Sequence, residues 1–198
     1  MSILETTVSI LLNGLQLGAI YALLGIGLTI ILGTMNFLNL AHGALYLIGA
    51  YAGLLVVTDL TLRTGILQDF GYQQIGFEFG FLAALVIVPI VGFVVGVLME
   101  RFVAKPFYKR PHTDQLLVTF GLALIVEELV KQTIGGNTFQ PVSPDTLLGV
   151  NVSGPISMPI VGSFPRWRLV IVLIAAIVIG LTWLLIARTD WGLIVKAG

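Results

Sequence analysis

The chain has 198 residues, of which 57% are hydrophobic and only 10% are charged, and its formal net charge is zero. Soluble domains carry about 25% charged residues, so the composition excludes an ordinary soluble domain, and the zero net charge gives no indication of nucleic-acid binding. The absence of cysteine excludes disulfides and thiol chemistry. Several apolar runs are long enough to cross a hydrocarbon layer of about 30 Å, which predicts an all-α, polytopic membrane helix bundle.

Apolar runs separated by more polar segments predict five transmembrane spans in a single transmembrane domain over 1–198. The spans are expected at 8–32, 36–58, 79–100, 115–134 and 168–187. The short segment GTMN at 33–36 is a tight connection, so the first two spans are interpreted as a hairpin. The first apolar run does not have the pattern of a secretory signal peptide, because no Lys or Arg precedes Arg63.

Basic residues favour cytoplasmic loops and therefore indicate the orientation of the spans. The loop between the third and fourth spans contains Arg101, Lys105, Lys109 and Arg110. The segment 188–198 also carries basic residues, whereas the loop 59–78 is mainly acidic and the loop 135–167 is rich in Gly and Pro. We therefore expect 101–114 and the C-terminus in the cytoplasm, and the N-terminus and the other two loops on the outer side of the membrane.

Small residues spaced four apart predict faces on which helices pack closely. Lipid does not drive helices together, so bundle contacts depend on close packing and on polar bonds. Gly14 and Gly18 form such a pair in the first span, and Gly92 and Gly96 form another in the third. We expect these glycines to contact neighbouring helices.

The second span contains polar residues that a lipid-facing helix would not carry. On a helix that advances about 100° per residue, its small and polar residues share one face: Asn36, Asn39, His42, Gly43, Tyr46, Gly49 and Gly53. This face must meet protein or water, because unpaired polar groups are costly in hydrocarbon. Two interpretations stay open: the face bonds neighbouring helices, or it lines a translocation path. Asn36 and Asn39 also suit capping of the preceding turn.

The fourth span ends in the charged segment VEELVKQ at 126–132. Glu127 and Lys131 are four residues apart, as are Glu128 and Gln132, so both pairs can form along one helix. An ionisable residue inside a membrane span is a candidate for function. Glu127 is therefore interpreted either as a partner in a structural pair or as part of the translocation path.

Motifs for enzymatic chemistry are absent from the sequence. There is no HExxH, no GxSxG, no Walker-type phosphate loop and no cluster of metal ligands. His42 and His112 are the only histidines, and they are far apart in the sequence. We expect no enzymatic activity, no metal and no cofactor.

Four segments of the chain carry a family resemblance. They are LLNGLQLGAIYALLGIGLTIILGTMNFLNLAHGALYLIGAYAG (11–53), MERFVAKPFYKR (99–110), DQLLVTFGLALIVEE (114–128) and RTDWGLIVKAG (188–198). In this order they resemble the permeases of branched-chain amino acid ABC transporters, and NLAHG is their most specific element. Within that family, the chain resembles the first permease subunit of high-affinity leucine/isoleucine/valine systems.

The resemblance implies a subunit of a bacterial inner-membrane importer. Its partners would be a second permease subunit, two cytoplasmic ATPase subunits and a periplasmic substrate-binding protein, and the chain itself would hydrolyse nothing. Family members continue beyond the position of Gly198 into a coupling helix and further spans, so the resemblance also implies a truncated or shortened permease. The alternatives are a passive channel for small polar solutes such as urea or amides, and a structural membrane subunit without its own path.

Overall fold

The computed structural model describes residues 3–136, 146–147, 150–158, 162–189 and 192. Helices dominate these ranges: α1 (Ile3–Met35), α2 (His42–Val57), α3 (Ile66–Asp69), α4 (Phe81–Met99), α5 (His112–Ile134) and α6 (Arg166–Arg188). A π-helical turn, Glu100–Ala104, and a 3-10 turn, Lys105–Phe107, extend α4. The strands form three short antiparallel pairs: β1 (Leu60–Thr61) with β2 (Gln74–Ile75), β3 (Thr146–Leu147) with β4 (Val150–Asn151), and β5 (Pro155–Met158) with β6 (Gly162–Pro165).

Three helical segments of the described chain are long and apolar enough to cross a membrane: Ile3–Thr34, Phe81–Phe107 and Arg166–Arg188. This confirms the predicted all-α membrane helix bundle. α2 is apolar but has only 16 residues, or about 24 Å at the usual helical rise. α5 has 23 residues, but its charged residues make it less apolar than the other long helices. The number of five spans and their single domain therefore stay predictions.

The described residues divide into two compact units, one with α1, α6 and β3 to β6, and the other with α2 to α5, β1 and β2. In the first unit, α1 packs along α6. The Arg168 guanidinium donates a hydrogen bond to the side-chain oxygen of Asn13 and lies 5.9 Å from the centre of the Phe164 ring. These contacts connect α1, β6 and the first turn of α6.

The second unit contains the polar residues that the sequence singled out, except Asn36, which belongs to the first unit. α2 packs against Val88 of α4 at Gly49 and Gly53. A Cβ added at Gly49 or Gly53 would lie 3.7 or 3.6 Å from the methyl groups of Val88, which is ordinary van der Waals contact. The short β1–β2 pair connects the end of α2 to the segment before α4. At the other end of this unit, residues before α2 contact α5.

The beginning of α2 differs from the prediction. α1 ends at Met35, and Asn36 adopts a left-handed conformation (φ 46°) while its N–H donates to the Leu32 carbonyl at 3.0 Å. This conformation is a common helix terminator, and Asn tolerates it. α2 then starts at His42 instead of residue 36. The predicted placement of Asn36 and Asn39 on one face of this helix is therefore wrong, since both precede it.

The end of α5 is in close backbone contact with the loop that follows β1. Gly135 follows the helix with φ 98°, and its N–H donates to the Lys131 carbonyl at 2.9 Å. A Cβ at Gly135 would collide with the backbone carbonyl of Thr64. Both the backbone conformation and the close approach therefore require glycine here.

Two regions discussed from the sequence fall partly outside the described residues. Of the Gly- and Pro-rich loop, 137–145, 148–149 and 159–161 lie outside them, as do 190–191 and 193–198 of the predicted cytoplasmic C-terminus. The orientation assigned to that segment stays a prediction.

Candidate functional site

Residues 37–41 and the first two turns of α5 form a polar junction that we call the clasp. The Leu38 N–H donates to Gln115 Oε1 at 3.2 Å, and the Leu40 N–H donates to Thr119 Oγ1 at 3.1 Å. The Asn39 side chain accepts the N–H of Ala41 at 2.9 Å, which is an Asx-type turn. Side chains of α5 thus satisfy backbone N–H groups of the segment that connects α1 to α2.

Gln115 is the centre of the clasp. Its side-chain amide donates to the carbonyl oxygens of Phe107 and Arg110, at 3.3 and 3.1 Å, while its oxygen accepts from Leu38. The side chain is only 2% exposed, and that of Thr119 is fully buried. An amide offers two donors and an acceptor, so one side chain joins α5, the turn before it and the segment before α2.

Aromatic contacts extend the clasp toward the π-helical turn. The rings of Phe37 and Tyr108 meet edge to face, with centroids 5.6 Å apart. The Tyr108 hydroxyl donates to a carboxylate oxygen of Glu100 at 3.0 Å. Burial raises the pKa of Tyr108 to about 12, and the hydrogen bond to Glu100 and its charge add to this effect. The phenol is therefore neutral at every physiological pH.

Farther along α5, a groove of about 480 Å³ opens between α2 and α5. We call it the α2–α5 groove. Tyr46 and Tyr51 line it from α2, and Glu127 and Lys131 line it from α5. Its apolar wall consists of Leu40, Ala44, Leu47, Ala123 and Val130. A volume of this size lies within the usual range for small-molecule sites, roughly 300–1,000 Å³.

The charges of the groove are paired. Lys131 Nζ lies 2.6 Å from Glu127 Oε1, and the two side chains are 54% and 51% exposed. Gln132 donates to Glu128 at 2.9 Å on the same turn of α5. Both pairs predicted from the spacing of four therefore form. An exposed pair of this kind contributes little to stability, because water screens the charges and the side chains lose entropy.

The structure brings some of the predicted site residues together and separates others. Tyr46 and Glu127 line the groove, whereas Asn39 lies in the clasp and Asn36 directly follows α1. His42 is the first residue of α2, and its Nδ1 atom is buried without a hydrogen-bond partner among the described residues. The roles of these residues in transport stay predictions.

The predicted packing glycines fall into two groups. Gly49 and Gly53 approach Val88 of α4. The others have no atom of the described residues near an added Cβ: Gly14, Gly18, Gly43, Gly92 and Gly96. Gly43 instead lines the groove. Helix contacts of the second group stay predictions.

Gln115 and Thr119 were not among the site residues predicted from the sequence. Their signal was available, because they are two polar residues four apart in the otherwise apolar stretch QLLVTFGLALIV. Such residues lie on one helix face, but the sequence does not show which backbone groups they would bond. Within the described ranges, no group of three or more His, Cys, Asp or Glu could hold a metal ion.

Comparison with known families covers almost all of the chain. Residues 10–198 match the family model described as branched-chain amino acid transport system / permease component. The chain belongs to this family. The match confirms the predicted family, and it extends across the clasp, the groove and all helices after the first turns of α1.

The chain is also similar to individual permease proteins, at 29–31% sequence identity. The chain is 31% identical over 123 residues to the high-affinity branched-chain amino acid transport system permease protein LivH of Escherichia coli, covering 62% of this chain and 37% of LivH. It is 29% identical over 182 residues to BraD of Pseudomonas aeruginosa, a permease protein of the same description, covering 92% of this chain and 55% of BraD. The matched part thus spans about half or less of each relative. No solved structure matches the chain.

Proposed function

We propose that this chain is a permease subunit of an ABC importer that carries branched-chain amino acids across the bacterial inner membrane. The family match over 10–198 carries this proposal, and the names of the relatives LivH and BraD support it. The chain supplies part of the path through the membrane. ATP hydrolysis is the task of two separate cytoplasmic subunits, a periplasmic binding protein delivers the substrate, and a second permease subunit completes the path.

The α2–α5 groove is proposed to form part of the translocation path. Ionisable residues in a membrane face protein or a water-filled cavity, and Glu127 and Lys131 both line the groove. The apolar residues of the lining suit an aliphatic side chain. The clasp anchors the beginning of both helices, so that the groove has one rigid end.

The exposed basic loop supports a cytoplasmic position for the clasp. Arg101, Lys105, Lys109 and Arg110 are all exposed in the structure and lie close in sequence to Gln115. Basic residues near span ends favour the cytoplasmic side. In this orientation the N-terminus is periplasmic, and α2 and α5 both run outward from the clasp.

Reconstitution tests the proposal. The chain is assembled in proteoliposomes with its second permease and ATPase subunits, and uptake of radiolabelled leucine is measured with and without ATP and the binding protein. We expect uptake that requires both. Uptake that is independent of ATP would instead identify a passive channel. Unchanged transport by the partners when this chain is omitted would identify a structural subunit. Either result overturns the proposal.

A further inference from the structure

The α2–α5 groove combines two kinds of chemistry in one cavity. At one position it presents a positive and a negative charge in direct contact, Lys131 and Glu127, at 2.6 Å. Around them the lining is mainly apolar, with Leu47, Ala123 and Val130. A site with opposite charges and an apolar wall matches a molecule that has an ammonium group, a carboxylate group and an aliphatic side chain on the same carbon atom.

We propose that Glu127 binds the ammonium group and Lys131 the carboxylate group of an aliphatic amino acid in the groove. This inference rests on the proposed function and assigns a transient substrate subsite to named residues. The substrate replaces the contact between the two side chains, so each charge exchanges one partner of opposite sign for another. No charge is left unpaired during the exchange, which keeps the desolvation cost of binding low.

The exposure of the pair makes this exchange feasible. Both side chains are about half exposed and belong to the same helix, so separating them breaks no contact between different elements of the structure. Gln115 is the opposite case, because it is buried and bonded to two other segments. A substrate could not displace its partners without opening the clasp.

The same turn of α5 provides a matched control. Glu128 has the same spacing to Gln132 as Glu127 has to Lys131, and it also forms its pair. Glu128 does not belong to the groove lining. A general effect of removing a negative charge from this part of α5 should therefore appear equally in Glu127→Gln and Glu128→Gln, whereas a substrate contact concerns only Glu127.

The first experiment measures leucine uptake by the full assembly at saturating binding protein. We expect Glu127→Gln and Lys131→Met each to lower the uptake rate about tenfold, the effect of losing one charge-assisted hydrogen bond, while Glu128→Gln keeps the wild-type rate. ATP-dependent uptake that is normal in all three variants overturns the subsite and leaves the proposed function intact. Loss of ATP dependence in the wild type overturns the proposed function, and the subsite with it.

A second experiment uses the unmodified sequence and does not depend on the folding of a variant. Acetylation of lysine amines is followed by mass spectrometry in the detergent-solubilised assembly, with Lys105 as an exposed control. We expect leucine to slow acetylation of Lys131 and not of Lys105. The analogues 4-methylpentanoate and isoamylamine each lack one charged group of leucine, so we expect them to protect Lys131 less. Equal acetylation of Lys131 with and without leucine, or equal protection by all three compounds, overturns the subsite.

Discussion

The clasp and the α2–α5 groove both use polar residues of α5 that are four positions apart, yet these residues differ in burial and in bonding partners. In the clasp, Gln115 and Thr119 are 2% and 0% exposed and bond backbone groups of other segments. In the groove, Glu127 and Lys131 are about half exposed and bond each other. Buried polar groups are costly to leave unpaired, whereas exposed ion pairs contribute little. α5 therefore has buried polar residues bonded to other segments at the clasp, and an exposed ion pair at the groove.

The largest expected effect is that of Gln115→Leu. The variant keeps most of the side-chain volume but leaves the Leu38 N–H and the Arg110 carbonyl without their Gln115 partner. The Phe107 carbonyl loses one of its two hydrogen bonds and keeps the one from the Arg110 N–H. We expect the free energy of unfolding to fall by about 3 kcal/mol, because each buried unpaired group costs ~1–3 kcal/mol. Unfolding of the detergent-solubilised protein by SDS titration measures the loss. Gln132→Leu, on the exposed part of α5, is the control, and an equal loss there would contradict a special role of the clasp.

Thr119→Val should have a smaller effect at the same junction. Valine has nearly the same shape as threonine but cannot accept the Leu40 N–H, which is 3.1 Å from the hydroxyl. We expect a loss of about 1.5 kcal/mol for this unpaired backbone group. The control is Thr29→Val, since Thr29 is exposed and donates to a carbonyl of its own helix. If both variants unfold at the same Tm, the clasp bond contributes nothing.

Tyr108→Phe tests the outer edge of the clasp and its dependence on pH. An unfolded tyrosine has a pKa near 10, while the pKa of folded Tyr108 is about 12. The folded state therefore holds the proton more tightly, and the resulting stabilisation is complete below about pH 10 and is lost as the pH rises toward about 12. We expect the variant to lose about 1 kcal/mol at neutral pH with the hydrogen bond to Glu100.

Spectroscopic titration checks this assignment. Ionised tyrosine absorbs in the near ultraviolet, so the wild type should show a late increment of absorbance at about pH 12 that is absent from Tyr108→Phe. A wild-type titration that ends near pH 10 would show that the phenol is not protected.

The smallest expected effect on stability is that of Glu127→Gln. Its partner is an exposed lysine on the same helix, so the Tm should shift no more than that of Glu128→Gln. A clear drop in Tm for Glu127→Gln alone would show that the ion pair has a structural role. This result would remove the contrast between groove and clasp that the other variants are designed to measure.

Much of the fold could be predicted because membrane helices have a strong local signal. Long apolar runs indicate helices, since backbone groups in lipid must be satisfied within the segment, and four of the five predicted spans overlap long helices. The spacing of Glu127 and Lys131 similarly predicts a contact within one helix. The predicted beginning of α2 was wrong, because Gln115 and Thr119, which are distant in sequence, bond the backbone that precedes the helix.

By itself, the sequence determined the class of the protein, the positions of its long helices, its family resemblance and the local charge pairs of α5. These features depend on composition and on contacts between residues three or four apart. Only the tertiary structure decided that Asn39 belongs to the clasp, that Tyr46 and Glu127 line one groove, and that Gln115 joins three segments. The bonds that join the segment before α2 to α5 connect residues more than seventy positions apart, and no local pattern specifies which backbone groups will meet.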